Sequence, residues 1–214
     1  MSCCTPAGYR SIFGKTAGRD ARRYREKGLR GTAAWLRDAL ARDGLDDESL
    51  LEIGGGVGGL QLELLAAGAA TATNVEIIDS YEEDAHRRIA ERNLEQRVDR
   101  IVGDVVKDGD LAPPADIVIL HRVICCYPDA TGMVTAACTH ARDRIALTVP
   151  RETGWIRLGF TVMNASMRLR HIAFRGYVHP TRDMFDTAKT HGFTLTDHTS
   201  GRLWQSAILR RQSV

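Results

Sequence analysis

The stretch that decides the fold is Leu50-Leu51-Glu52-Ile53-Gly54-Gly55-Gly56-Val57-Gly58-Gly59-Leu60. Its first four residues are mostly apolar and predict a buried strand, and the residues after Gly59 predict a helix. Glycines between the two permit a sharp turn and let the backbone approach a ligand closely, since they carry no Cβ. The order strand, glycine loop, helix therefore predicts the first unit of a βαβ fold with a ligand site at the loop.

Outward from this loop, short apolar runs alternate with helical stretches. The expected strands are Leu50–Ile53, Thr73–Ile77, Arg100–Val102, Asp116–Leu120, Arg144–Val149, Thr194–His198 and Arg202–Leu209. The expected helices between them are Gly58–Ala67, Tyr81–Arg92, Thr131–Arg142 and Arg182–His191. Only Thr199-Ser200-Gly201 separates the last two strands, which is typical of a hairpin. The alternation predicts an α/β fold with an open, mostly parallel, seven-stranded Rossmann-like sheet, helices on both faces and an antiparallel last strand.

Two segments fall outside this minimal pattern. Residues 1–45 are polar and helical, with helices expected at Arg19–Leu29 and Thr32–Ala41, and predict an N-terminal helical cover before a main domain at 46–214. Residues 155–170 predict an inserted amphipathic helix, because Ile156, Phe160, Met163 and Met167 recur on one helical face. That stripe could pack on the domain, contact a second copy in a homodimer, close over a substrate or lie on a membrane surface.

The composition is that of an ordinary globular protein. Of 214 residues, 43% are hydrophobic and 26% charged, and the net charge of +2 indicates no nucleic-acid partner. No apolar run reaches the ~18 residues of a membrane span, and the N-terminus lacks an apolar signal region, so we expect a cytoplasmic protein with reduced cysteines. We expect Cys125 and Cys126 to pack as small apolar residues, Cys3 and Cys4 to lie in solvent, and no metal site. Alternatively, the two pairs could converge and, with His121, bind a soft metal or a thiophilic substrate.

Three acids stand where successive strands end. Glu52 precedes the first glycine, Glu76 ends the second strand and Asp104 follows the third. Because parallel strands end at one edge of a sheet, these carboxylates should surround one ligand. A carboxylate at Glu76 suits a ribose diol, and one at Asp104 suits an adenine amino group. Glu52 would repel a pyrophosphate, which disfavours a dinucleotide and favours a ligand that carries positive charge.

These motifs resemble those of class I S-adenosylmethionine-dependent methyltransferases. The matching stretches are Glu52-Ile-Gly-Gly-Gly-Val-Gly58, Asn74-Val-Glu76, Gly103-Asp104 and Ala115-Asp-Ile-Val-Ile-Leu-His121. The resemblance implies S-adenosylmethionine as the cofactor, with Gly54, Gly56 and Gly58 along its methionine part and Glu52 near its ammonium. It places Glu76 at the ribose, and Asp104 with the Val105 backbone at the adenine. Asp79, in Ile77-Ile78-Asp79-Ser80, departs from the family pattern and competes with Glu76 for the ribose role.

The expected reaction is methyl transfer to an oxygen, nitrogen or sulfur atom of a small molecule. Methyl transfer needs the acceptor to be positioned in line with the donor, and a base only if the acceptor is a weak nucleophile. The loop after the fourth strand supplies the catalytic candidates His121, as a base, and Tyr127, which could orient the acceptor. Phe13 and Tyr24 could cover the cofactor. The alternatives are an NAD-dependent oxidoreductase and a non-catalytic cofactor-binding protein.

Overall fold

The computed structural model describes residues 5–14 and 16–212, which contain seven strands and eight α-helices. The strands are β1 (Ser49–Ile53), β2 (Thr71–Glu76), β3 (Val98–Val102), β4 (Ala115–His121), β5 (Ala141–Pro150), β6 (Phe193–Ser200) and β7 (Trp204–Arg211). The helices are α1 (Pro6–Phe13), α2 (Ala17–Lys27), α3 (Thr32–Arg42), α4 (Gly59–Ala66), α5 (Glu82–Ala90), α6 (Ala130–His140), α7 (Gly154–Leu169) and α8 (Thr181–Thr190).

All seven strands form one sheet in the order β3-β2-β1-β4-β5-β7-β6. Neighbours from β3 to β5 pair in parallel, and β7 pairs antiparallel with both β5 and β6. The predicted fold class, with its antiparallel last strand, is therefore confirmed. The register aligns Ile53 with Val75 and Glu76 with Val102, so the loops after β1, β2 and β3 leave from the same edge.

Apolar side chains fill both faces of the sheet, because residues alternate in direction along each strand. Val118 and Leu120 of β4 pack in a cluster with α6 and α8, whereas Ile117 and Ile119 pack in a second cluster with α3, α4 and α5. These helices flank the sheet on both sides, as predicted. Because α3 supplies the fully buried Leu36 to the second cluster, it is part of the core. The division into a cover at 1–45 and a main domain at 46–214 stays a prediction.

The end of α6 differs from the prediction because a strand begins there. The predicted helix Thr131–Arg142 ends at His140, and β5 begins at Ala141, which pairs with Ala115. Local helix propensity does not decide these residues, because pairing with the neighbouring strand overrides it. The sequence analysis also gave no separate helix at α1, although Thr5 accepts a capping hydrogen bond from Gly8 and Pro6 opens the helix.

A third apolar cluster joins the N-terminal helices to the rest of the molecule. It contains Tyr9 of α1, Ala21 of α2, Ile78, Tyr81 and Phe174. The predicted helix at 155–170 is present as α7, and its stripe faces the domain, with Ile156 buried and the other three members half-buried. Among the described residues, no helix is long and apolar enough to cross a membrane.

Candidate functional site

The loop after β1 requires glycine at three positions. Gly54, Gly56 and Gly58 have φ angles of +69°, +60° and +76°, which side-chain-bearing residues rarely adopt. A Cβ at Gly54 would also collide with the side chain of Val123, which lies against the loop. Gly58 caps the start of α4. The glycine loop is therefore held closely against the segment that follows β4.

A cavity with about 690 Å³ of free space, open to solvent, lies at the carboxyl edge of the sheet beside this loop. Six of the predicted site residues line it: Gly54, Gly56, Glu76, Asp104, Val105 and Tyr127. Glu52, Gly58 and His121 lie outside its lining among the described residues. The structure thus brings the ends of β1, β2, β3 and β4 together around one space, and three predicted residues do not line it.

Glu76 is the buried acid of the cavity wall. Its carboxylate accepts a hydrogen bond from the backbone N–H of Gly56. Burial raises the pKa of Glu76 to about 7, against the opposing effects of that hydrogen bond and of Arg100. Arg100 is itself engaged by Glu82 at 2.8 Å and by the Gly56 carbonyl at 3.0 Å. Asp79, the rival acid, is exposed, pairs with Arg10 at 3.0 Å and does not line the cavity.

Glu52 lies behind the glycine loop. It is buried, and its carboxylate accepts from the Gln61 N–H at 3.3 Å. Burial raises the pKa of Glu52 to about 8, the main opposing effect being that hydrogen bond. A Cβ at Gly55 would lie against the Glu52 carboxylate. Glu52 therefore contacts the inner side of the loop and the start of α4.

Asp104 and Tyr127, which both line the cavity, form a hydrogen-bonded pair. The Tyr127 hydroxyl lies 3.0 and 3.1 Å from the two carboxylate oxygens of Asp104. Burial and the Asp104 carboxylate raise the pKa of Tyr127. Lys107 also contacts Asp104, at 2.7 Å. Tyr127 thus orients an acid of the cavity, a contact that its place in the sequence did not reveal.

His121 and Arg122 lie where β4 ends. His121 Nε2 is 3.1 Å from the Thr32 hydroxyl, and burial followed by the charge of Arg122 lowers the pKa of His121 to about 3. The ring is therefore neutral at physiological pH, and its low basicity favours a structural role over that of a base.

Arg122 has a φ of +59° and donates to the same hydroxyl at 3.0 Å. Its guanidinium lies 4.6 Å from the centre of the Trp204 ring. Arg122 itself lines the cavity, and it forms no ion pair with a described residue.

The convergence of the two cysteine pairs stays a prediction, and the structure describes one of the pairs. Cys125 Sγ and Cys126 Sγ are 3.8 Å apart, and Cys126 lines the cavity. Cys3 and Cys4 lie outside the described residues. Within residues 5–14 and 16–212, no group of three or more His, Cys, Asp or Glu residues has the arrangement of a metal site.

The aromatic residues of the cavity wall were only partly predicted. Phe13 lines it, together with Tyr9 and Tyr81, which the sequence analysis missed. Tyr24 lies elsewhere, since its ring packs on Gly59 and its hydroxyl donates to Glu63 at 2.7 Å. The spacing of Tyr9 and Phe13, four residues apart on one helix, was the available signal.

Comparison with known proteins gives relatives in structure alone, since no family model matches and no curated protein is similar in sequence. A magnesium protoporphyrin IX methyltransferase from Synechocystis PCC 6803, solved with bound S-adenosylhomocysteine, is 22% identical; the match covers 95% of this chain and 97% of that one, with a TM-score of 0.74. The N-methyltransferase NodS from Bradyrhizobium japonicum WM9 is 15% identical over 97% and 100% of the two chains, with a TM-score of 0.68.

A third structure adds a bound substrate. The 1,6-didemethyltoxoflavin-N1-methyltransferase from Burkholderia thailandensis is 16% identical over 97% of this chain and 88% of that one, with a TM-score of 0.69. The chain has the fold of the class I S-adenosylmethionine-dependent methyltransferases. The resemblance stated from the motifs is confirmed at this level.

Proposed function

We propose that the protein is a methyltransferase that uses S-adenosylmethionine and methylates an oxygen, nitrogen or sulfur atom of a small molecule. The observation that carries the proposal is the buried carboxyl of Glu76, which faces a cavity between the glycine loop and Asp104. A buried acid with a raised pKa beside a cavity is typical of a ligand-binding position. The three related structures named above are methyltransferases, and this supports the same chemistry here.

The residues of the cavity fit this cofactor. Glu76 can accept from both ribose hydroxyls, and Asp104, held by Tyr127, can accept from the adenine amino group. The backbone at Gly54 and Gly56 leaves room for the methionine part, because neither residue carries a side chain. We assign Gly58 and Glu52 to the support of the loop, since neither lines the cavity and Glu52 accepts from the Gln61 N–H at the start of α4.

S-adenosylmethionine supplies a methyl group on a positively charged sulfur. The chain's part is to place the acceptor beside it and to exclude water. Tyr9, Phe13 and Tyr81 form an aromatic wall for this purpose. We propose that Arg122 orients the acceptor, because this residue lines the cavity and its guanidinium makes one side-chain hydrogen bond, to Thr32, within the described part of the chain. The low pKa of His121 favours positioning over general-base catalysis.

Calorimetry on the full chain tests the cofactor. S-adenosylhomocysteine should bind, whereas NAD and NADP should not, and a tight NAD complex without S-adenosylhomocysteine binding would replace the proposal with the oxidoreductase alternative. Glu76→Ala should weaken S-adenosylhomocysteine binding by about 10- to 100-fold, the scale for a charged hydrogen-bond acceptor.

Asp79→Ala is the matched control, since Asp79 is an exposed acid of the same loop region. It should bind like the wild type. Transfer of labelled methyl from S-adenosylmethionine to any member of a metabolite extract then separates an enzyme from a non-catalytic binding protein. A homodimer through α7 remains a prediction.

A further inference from the structure

The helix α7 carries two apolar faces. Its inner stripe, which contains Phe160 and Met163, packs against the segment at 174–177, since a Cβ on Gly176 would collide with both side chains. Beside this stripe, Asn164 exchanges hydrogen bonds of 2.8 and 2.9 Å with the backbone of Gly176. This double contact fixes the rotation of the helix about its own axis. Whatever lies on the opposite side of α7 therefore points away from the protein.

That outer side is apolar and exposed. Trp155, Leu158, Val162 and Leu169 have 52%, 63%, 61% and 82% of their surface accessible. At 100° per residue all four fall within one sector of the helix, roughly opposite Phe160 and Met167. With a rise of 1.5 Å per residue they span about 21 Å. Four large apolar side chains in one exposed row are unusual for a surface that faces only water.

The charged residues around this outer stripe are all positive. Residues 154–175 contain the arginines Arg157, Arg168, Arg170 and Arg175 and no aspartate or glutamate. Arg157 pairs with Glu152 at 2.9 Å, whereas Arg168 and Arg170 are exposed and form no ion pair with a described residue. Arg168 on the polar flank of α7 and Arg170, directly after its last residue, thus border the outer stripe with positive charge.

We propose that the outer stripe of α7 lies on an anionic lipid surface. A helix that presents Trp, Leu and Val between arginines has the pattern of one that rests at a bilayer interface, with the apolar row among the acyl chains and the arginines at the headgroups. A second copy is the less suitable occupant, because residues 154–175 offer no acid that could pair with Arg168 or Arg170 across a contact between two α7 helices. The inner stripe keeps its contacts with the domain, so the protein docks without rearrangement.

Vesicle binding by the full chain tests this proposal independently of the enzymatic one. The chain should sediment with vesicles of phosphatidylcholine mixed with phosphatidylglycerol and remain in solution with phosphatidylcholine alone. Arg168→Gln/Arg170→Gln should weaken binding by about 10-fold or more, since each cation contributes about fivefold at an anionic surface. Added salt should weaken wild-type binding for the same reason.

Leu158→Gln/Val162→Gln tests the apolar row, and both sites are exposed enough to spare the fold. This variant should bind at least about 10-fold more weakly. The matched control is Leu195→Gln on the edge strand β6, where Leu195 is 46% exposed, and it should bind like the wild type.

Three results would overturn the proposal: no binding to either vesicle, equal binding to both, or unchanged binding of the apolar variant. If light scattering instead shows a dimer that this variant dissociates, while no vesicles bind, the face belongs to a second copy.

Discussion

Glu76→Gln removes the ionisable proton of the carboxyl that faces the cavity and changes little else. The amide keeps the size of the side chain and an oxygen that can accept from the Gly56 N–H. The substitution should therefore have two opposite effects. It should stabilise the ligand-free protein at alkaline pH, and it should weaken the binding of the cofactor.

The first effect follows from the pKa of Glu76, which burial raises from 4.5 to about 7. Between these values the folded protein holds a proton that the unfolded chain has released, so stability falls as the pH rises. The contribution of this proton is fully present below about pH 4.5 and is lost above about pH 7. The rise in pKa means that the wild type loses roughly 3 kcal/mol of folding free energy when Glu76 ionises. The Gln variant cannot ionise at this position and keeps that stability.

Urea denaturation at two pH values measures this difference. At pH 8 the variant should be more stable than the wild type by roughly 3 kcal/mol, and at pH 5.5 by about 1 kcal/mol. Glu52 is present in both proteins, and because the charge of Glu76 has the weakest of the effects on the pKa of Glu52, its own pH dependence largely cancels. In parallel, S-adenosylhomocysteine should bind the variant about 10- to 100-fold more weakly. A stability difference that is absent at pH 8, or that does not change with pH, would refute the reasoning.

Three further substitutions test the walls of the cavity. Tyr127→Phe removes the hydrogen bonds to Asp104 and should weaken S-adenosylhomocysteine binding by about fivefold in calorimetry; unchanged affinity would leave the pair without a role in binding. Gly54→Ala should lower the urea midpoint sharply because its Cβ meets Val123, and Val123→Ala in the same chain should restore part of the loss; a harmless Gly54→Ala would contradict the close packing. His121→Gln should keep methyl transfer within about 10-fold with an unchanged pH profile, whereas a loss of a hundredfold or more would reinstate His121 as the base.

The sheet was predictable because its signals are local. Each strand is a short apolar run with its own boundaries, and the glycine loop identifies the first of them. The error at the end of α6 arose where two tendencies compete, since residues 141–142 suit a helix but pair with β4 through Ala115. No local pattern reports which of the two prevails.

The sequence predicted which segments of the chain meet at the site, but not the directions and contacts of all their side chains. Glu76 and Asp104 line the cavity because they stand where strands end. Ile53 lines the cavity, whereas its neighbour Glu52 does not. The two side chains leave β1 on opposite sides, because neighbours in a strand face opposite ways. Tyr9 comes from a helix whose position depends on packing between distant parts of the chain. The sequence contains these residues but not the contacts that orient them.

The position of β7 between β5 and β6 has a consequence for how the protein is made. β5 and β6 precede β7 in the chain, yet each pairs with β7 and not with the other. During synthesis, β6 therefore has no partner, and the outer edge of β5 stays open, until residues 204–211 have left the ribosome. An open edge next to apolar Ile145 and Leu147 is a template for pairing with another chain. Slow translation before residue 204 should therefore expose nascent chains to aggregation. Pairing of β7 with both β5 and β6 should then complete the sheet in one late step.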